Sequence, residues 1–295
     1  MRKGKHMTLK NNFPTYLLLT SMILTSCHMP SQGNRQMDTY DYAKYKGIYT
    51  VAEYLDDETY DGYVNDDGTM FQRLLGFHDL LNASDTFDYY AYANNIIEVI
   101  DTDIPDECIV NYGTESEKDS RYEFEGNAIT ATEAIQVSEN YADIFPIKVT
   151  EGRFFEEEDF DYLDDEEIHV LLGDAFKDSF AIGDTFEAYY IFERKIFKVI
   201  GFISPDSEFY LKSRNALSSF DGYVVMPFAN IKDDSYVGRR ILLQQTSGYI
   251  VPEADRKSAL EAYEECLREA SLESWIPMVG MNEMDLCEAL SRVYR

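Results

Sequence analysis

Cysteine, basic side chains and long apolar runs are all scarce in this sequence. Its 295 residues hold four Cys and 26 Lys and Arg, against 55 Asp and Glu. The net charge of −29 excludes nucleic acid as a partner, because contacts to phosphates need clustered cations. It also predicts a surface that repels anionic lipid headgroups. The 23 Tyr and 18 Phe argue against disorder and indicate a sizeable core.

The few cysteines exclude a fold that is held together by disulfides. Apart from Cys27 near the start, the chain has Cys108, Cys266 and Cys287. An odd number in a chain of this length is not a disulfide framework. A disulfide between Cys266 and Cys287 stays an alternative. Both positions, however, fit apolar helix faces, where free cysteine packs as a small hydrophobe. Cys108 lies in the acidic setting "PDECIV", which predicts a raised thiol pKa and argues against a nucleophile.

Histidine is scarce as well, which limits metal and acid–base chemistry. Beyond residue 27 only His28, His78 and His169 occur, and none has a partner at ligand spacing, so we expect no zinc site. A calcium-loop pattern that begins at Asp57 fails, because Gly68 stands where the pattern requires Glu. Weak cation binding by the acidic runs stays open. We therefore predict no catalytic residue, no cofactor and no metal.

The first apolar run is too short for a membrane span. It covers Tyr16 to Cys27 and is interrupted by Ser and Thr, whereas a spanning helix needs about 20 mostly apolar residues. Four Lys and Arg precede it, as in the basic region of a secretory signal. The run ends in a sequence that resembles the lipobox of bacterial lipoproteins: Leu24, Thr25, Ser26 and Cys27.

That resemblance implies a signal peptide over residues 1–26 and a diacylglycerol on the Cys27 sulfur. Residues 27–39 would then be the lipidated Cys and a polar tether, and the chain would be held at the outer face of the cytoplasmic membrane. Loss of the leader leaves 22 Lys and Arg against 55 Asp and Glu, a net charge of −33. An uncleaved short anchor or a truncated span stays an alternative.

Helical and extended patterns mix without a strict β–α–β alternation, so the predicted class is α+β. The apolar period from Phe71 to Leu81 predicts a helix with His78 on its apolar face. Aromatic and β-branched residues predict strands over 86–100. The acidic run 156–167 is expected to lie outside the core.

Further along the chain we predict a hairpin over 185–203, a strand over 241–250 and a helix from Pro252 to about Leu272. Loops are predicted over 56–68 and 101–126, the second of them with a short strand near 109–112. Asn282 is expected to cap a last helix.

Three segments in the middle of the chain occur in a recognisable order. They are "IQVSENYADIFPIKVTEGRFFEEEDF" at 135–160, "VLLGDAFKDSFAIGDTF" at 170–186 and "FKVIGFI" at 197–203. Together they resemble the MacB-like periplasmic core domain, the extracytoplasmic domain of FtsX-type ABC transporter permeases. The resemblance implies a two-lobed mixed α/β domain. A porter-like lobe would comprise 40–134 and 216–295, and a smaller β-rich lobe would be inserted at 135–215.

The sequence departs from that family in three ways. A permease has one span before this domain and three after it, whereas this chain ends at Arg295, about where the second span would begin. No Gly-x-x-x-x-Gly-Lys-Ser/Thr loop for ATP occurs. Asp184 stands where the family commonly has a basic residue.

We therefore expect a non-enzymatic, lipid-anchored extracytoplasmic protein that serves an ABC-type, FtsX/MacB-like transport system as an accessory or interaction component. Its expected partners are the membrane, through the lipid, and the permease and ATPase of that system. One alternative is the N-terminal portion of a split or truncated permease. Another is an acidic extracellular protein that binds basic peptides or cations.

Overall fold

The computed structural model describes residues 48–51, 57–65, 68–163, 167–211, 216–231, 233–272 and 282–283. Several sequence predictions lie outside these residues. They concern the signal peptide, the lipobox with Cys27, the tether, Cys287 and the helix expected after Asn282. No helix in the described ranges is both long and apolar enough to cross a membrane.

Eleven of the described strands form one mixed sheet, in the order β13-β1-β12-β2-β7-β8-β6-β11-β4-β3, with β5 paired to β8. A separate two-stranded sheet is made by β9 and β10. The strands are β1 Tyr49–Val51, β2 Phe87–Ile100, β3 Arg121–Phe124, β4 Asn127–Val137, β5 Val149–Gly152, β6 Glu167–Leu172, β7 Thr185–Tyr190, β8 Glu193–Ile203, β9 Glu208–Leu211, β10 Ala216–Ser219, β11 Val224–Pro227, β12 Gly248–Pro252 and β13 Asn282–Glu283.

The described α-helices are few and lie in the two ends of the chain. Short 3-10 turns connect the strands between them. The helices are α1 Asp57–Val64, α2 Thr69–Asn82, α3 Tyr236–Gln244 and α4 Arg256–Glu269, and the 3-10 turns are Asp106–Cys108, Glu117–Ser120, Glu139–Asp143, Glu157–Phe160 and Asp174–Phe176. The predicted mixed class is confirmed, with the sheet as the dominant element.

The long strand β2 is the centre of the sheet. Its aromatic first half pairs with β12, and its aliphatic second half pairs with β4 and β7. Alternate side chains therefore enter two different cores, because successive residues of a strand point to opposite faces. Ile97 and Val99 join the core under the helices, whereas Tyr90 and Tyr92 join a second core on the other face.

The first core lies between the sheet and helices α2, α3 and α4. The α2 helix was predicted correctly, but its buried face is rotated from the prediction. Phe77 is buried, whereas His78 is only half-buried. Desolvation nevertheless lowers the pKa of His78, and its ring contacts the Asn82 amide, so the histidine has a structural setting.

The second core is mainly aromatic. The rings of Tyr92 and Tyr141 stack with centroids 5.9 Å apart, and Phe145 and Tyr249 lie within 6.4 Å of Tyr141. The short strand β5 and the β9–β10 hairpin contribute residues to this core on the same face of the sheet. This covering leaves the Glu-Gly-Arg-Phe segment, residues 151–154, which begins in β5, at the edge of the second core.

Four local predictions were wrong. The acidic loop predicted at 56–68 contains α1, whose Tyr63 is buried and donates a hydrogen bond to the Arg239 carbonyl. The predicted loop at 101–126 contains β3, which forms a hairpin with β4 through the turn Glu125–Gly126. A long-range contact accompanies the first error, whereas β3 is mostly exposed and forms by local pairing with β4.

The other two errors concern the last third of the chain. The segment predicted as a strand at 241–250 is the end of α3 and the start of β12. Ser235 caps α3 by accepting a hydrogen bond from the Gly238 amide, which the apolar run had concealed. Helix α4 begins after its cap Asp255, because Pro252 still pairs with Phe87 in the sheet.

Strands from both predicted lobes share one sheet. The strand β11, from the expected porter-like lobe, lies between β4 and β6 and pairs with both. The division at residues 134/135 and 215/216 stays a prediction.

Candidate functional site

The Glu-Gly-Arg-Phe segment is fixed by a close approach of two glycines. Gly152 in β5 pairs with Gly201 in β8, and its φ is +81°. A Cβ at Gly152 would lie 2.2 Å from the Ile200 carbonyl oxygen, and one at Gly201 would lie 2.8 Å from the Arg153 carbonyl oxygen. Neither position has room for a side chain, which explains why both are glycine.

A bulge in β8 makes this approach possible. Val170 pairs with Val199, but Leu171 pairs with Gly201, so Ile200 is the extra residue. Bulges bend a strand and redirect its neighbours. The bend brings β5 against β8 and orients Arg153 toward the acidic run.

Arg153 holds the buried carboxylate of Asp159. Its Nη2 donates to Asp159 Oδ1 at 2.9 Å and its Nη1 to Asp159 Oδ2 at 2.5 Å, which is a bidentate pair. The Glu156 amide donates to Oδ2 at 2.7 Å. The Asp159 side chain is 1% exposed, although it lies in a run of acids that was expected outside the core.

His169 and Glu167 extend this pair across the sheet. His169 Nδ1 lies 2.5 Å from Asp159 Oδ1, and its Nε2 lies 3.3 Å from Glu167 Oε1. Lys198 donates to the same Glu167 oxygen at 3.0 Å. We name the five residues Arg153, Asp159, His169, Glu167 and Lys198 the charge chain, which joins the acidic loop to β6 and β8.

The pKa values of the two acids agree with this geometry. Burial alone would raise the pKa of Asp159, but hydrogen bonds from Arg153, the Glu156 amide and His169 outweigh it and lower the pKa to about 2. Glu167 also has a lowered pKa, chiefly because Lys198 donates to it. Both carboxylates are thus held ionised at neutral pH.

The charge chain positions a loop but lacks the parts of a hydrolase. An Asp–His pair activates a nucleophile only when the far imidazole nitrogen faces a hydroxyl or thiol. Here His169 Nε2 faces Glu167 instead. The arrangement therefore gives the 153–163 loop a defined geometry on the sheet.

The acidic run 156–167 was expected outside the core, and this was wrong at three positions: Asp159, Phe160 and Tyr162 are buried. The alternation of acids and aromatic residues in "DFDYL" was the available sign that one face of this segment is buried. The contact between Asp159 and His169 had no corresponding signal in the sequence, because it joins two separate segments of the chain.

The remaining candidates are placed as follows. Cys108 is buried, and burial together with Glu107 and Asp221 raises its thiol pKa to about 12, which is the direction that its acidic setting predicted. Cys266 is buried on α4 as a free thiol. Over the described ranges no group of three potential ligands could hold a metal. The Asp184 carboxylate accepts from the Ala181 amide at 2.8 Å.

The fold and the ordered segments define an extracytoplasmic domain of a transporter family. The sequence model of the MacB-like periplasmic core domain matches residues 32–270, and the chain belongs to this family. The predicted resemblance is thereby confirmed.

Two solved structures are similar to the chain. One is the periplasmic region of MacB from Actinobacillus actinomycetemcomitans, with 14% identity, 83% of this chain and 92% of that chain covered and a TM-score of 0.42. The other is the extracellular domain of the noncanonic ABC-type transporter YknZ from Gram-positive bacteria, with 13% identity, 76% and 95% covered and a TM-score of 0.37. No curated protein matches the chain.

Proposed function

We propose that this protein is a non-enzymatic, lipid-anchored, extracytoplasmic component of an ABC-type transport system. The observation that carries the proposal is membership of the MacB-like periplasmic core domain family over residues 32–270. In this proposal the domain acts through contacts with other proteins.

The anchor is proposed from the leader. Leu24, Thr25 and Ser26 precede Cys27 at the end of a basic and then apolar segment. Each buried methylene of an acyl chain contributes about 0.8 kcal/mol, and stable anchoring takes two chains or more. A diacylglycerol on Cys27 would meet this requirement and hold the domain beside a membrane-embedded partner.

The attachment of the 153–163 loop to the sheet suits a domain that transmits conformational changes of a partner protein. A partner can change the domain's position only if its two states make different contacts with it. The Asp159–His169 contact ties the 153–163 loop to β6, and the Gly152–Gly201 pair ties the start of this loop to β8. A force that a partner applies to this loop would therefore be transmitted to the eleven-stranded sheet.

The anchor is tested by the substitution Cys27→Ala in the full chain, produced in its own cells. Wild-type protein should incorporate a labelled fatty acid and remain with the membranes after a high-salt wash. The variant should lose the label and appear in the soluble fraction. Cys266→Ala, a thiol distant from the leader in sequence, is the matched control and should keep the label. Absence of label from the wild type would refute the lipid anchor.

The N-terminal portion of a permease is the second candidate, because the family is a permease domain. Residues 13–29 would then cross the membrane as a first span. In that case Cys27→Ala would leave membrane retention unchanged, and the wild type would carry no lipid. The DNA that follows the codon of Arg295 separates the same alternatives, since a permease needs three more apolar segments there.

A further inference from the structure

The tip of the β7–β8 hairpin has an unusual sequence for its conformation. Its two turn residues are Ile191 and Phe192, with φ values of +48° and +65°. Two left-handed positions in a two-residue hairpin turn favour Asn-Gly or Asp-Gly. A β-branched residue is an outlier there, and such outliers cluster at functional positions. Ile191 packs against the first core, whereas Phe192 is 49% exposed.

Phe192 belongs to a small cluster around Arg240. The Arg240 guanidinium carbon lies 4.9 Å from the Phe192 ring centroid, 5.2 Å from that of Tyr60 and 5.6 Å from that of Tyr236. Its Nη1 donates to the Tyr236 hydroxyl at 2.9 Å. The three rings come from the hairpin tip, α1 and α3, so the fold brings distant segments together at one guanidinium.

The rings stay accessible. Tyr236 is 45% exposed, and its centroid lies 6.4 Å from that of Phe192. Six large apolar side chains of the described ranges are exposed, and these two meet. Arg, Tyr and Trp are the residues enriched at the energetic centres of protein interfaces, and aromatic residues such as Phe are enriched across interfaces generally.

The charge of the cluster indicates what would bind. Among the described residues no carboxylate pairs with Arg240, and its Nε is buried without an acceptor. Two described acids close to Arg240 in sequence are engaged elsewhere, since Asp234 pairs with Arg239 and Asp233 accepts from the Ser235 amide. A guanidinium without a carboxylate among the described residues is notable in a chain with 55 acids.

We propose that Phe192, Tyr236 and Arg240 form a docking surface, the arginine surface, for a segment of a partner protein. The segment would present a carboxylate to Arg240 and an apolar side chain to the two rings. A protein fits better than an anionic bilayer, because the acidic chain repels lipid phosphates. The inference rests on the proposed function in one respect, that the domain works by binding another protein.

The competing explanation is purely structural: Arg240 would only tie the hairpin tip to α3. The substitution Phe192→Gly separates the two, because it leaves Ile191 packed against the first core. It places glycine at a left-handed position of the turn and removes the exposed ring. A docking role predicts a higher melting temperature and lost binding. A lower melting temperature would show that Phe192 serves the fold, and would overturn the proposal.

The decisive experiment replaces Phe192 with p-benzoylphenylalanine in the full chain in its own cells. Light should produce one main cross-linked product, whose partner peptide, identified by mass spectrometry, contains Asp or Glu. Arg240→Gln should lower its yield about tenfold, as expected from the loss of one charge-assisted hydrogen bond. The same photoreactive residue at Tyr122, which is also exposed, is the matched control and should be insensitive to Arg240→Gln.

Three results would overturn the arginine surface. The first is a cross-linking yield at position 192 that is no higher than the yield at position 122. The second is a cross-linking yield at position 192 that Arg240→Gln leaves unchanged. The third is a cross-linked partner peptide that contains neither Asp nor Glu. If the cross-link is absent while Cys27 still carries its lipid, the surface fails and the proposed function stands. A cross-link to a protein outside any transport system would support the surface and contradict the transport role.

Discussion

Arg153 and Arg240 lie in one protein with opposite surroundings. Arg153 donates to both oxygens of the buried Asp159, which also receives the Glu156 amide and His169. Arg240 lies among aromatic rings, with one hydrogen bond to Tyr236 and, in the described ranges, no carboxylate. A charge whose partners are all internal stabilises the fold. A charge at an exposed ring cluster, with no carboxylate among the described residues, is the one that we propose binds another molecule.

The substitution Asp159→Ala tests most sharply whether the pairing of Arg153 stabilises the fold. It would leave Arg153 and His169 without their shared carboxylate. Removing one partner of a buried pair costs about 3–5 kcal/mol, so we expect a loss of about 4 kcal/mol in the free energy of unfolding. Urea denaturation measures it. The exposed neighbour Glu158→Ala should change the value by less than about 0.5 kcal/mol. Similar losses for both would contradict the charge chain.

Gly152→Ala tests whether the same region depends on its backbone. The new Cβ would lie 2.2 Å from the Ile200 carbonyl oxygen at a φ of +81°. We expect a loss of about 3 kcal/mol by urea denaturation, from the clash and the left-handed strain together. Gly183→Ala is the matched control, since its φ is +91° with no atom within 4 Å, and it should lose only about 1 kcal/mol. Equal losses would mean that the close approach to β8 is unimportant.

The pH dependence of stability should depend on Asp159. Its folded-state pKa of about 2 lies below the ordinary value of 3.8. Its contribution is therefore present above about pH 4 and is lost as the pH falls toward 2. It amounts to about 2 kcal/mol. The stability difference between wild type and Asp159→Asn, from urea denaturation, should shrink by that amount between pH 5 and pH 2. A constant difference would contradict the lowered pKa.

Arg240→Gln should have the smallest effect on stability. Exposed cation–π contacts contribute about 0.5–1 kcal/mol, and no ion pair is broken among the described residues. We expect a loss of no more than about 1 kcal/mol in urea denaturation. Arg153→Gln, which strands Asp159, is the comparison and should lose clearly more. If the two arginines prove equally important for folding, the distinction between them fails.

The sequence predicted the parts of this fold that depend on neighbouring residues. The β7–β8 hairpin and the helix from Phe71 were predicted correctly, because each has a local signal in the periodicity of its residues. The family was predicted from the order of three segments and is confirmed by the match over residues 32–270.

The rest depended on contacts between distant segments. The apolar run at 241–250 is compatible with both helix and strand, and the structure resolves it by the Ser235 cap and by the pairing of β12 with β2. The burial of Asp159 follows from its contact with His169 on another strand. Arg240 and Phe192 are 48 positions apart and meet only after the sheet forms.

We propose that a lipid on Cys27 holds this transporter-family domain at the membrane. Mass spectrometry of the protein purified from membranes is the direct test of this anchor. We expect the first peptide to begin at Cys27 and to carry the mass of a diacylglycerol, with residues 1–26 absent. A first peptide that retains any part of residues 1–26, or an unmodified Cys27, would contradict it.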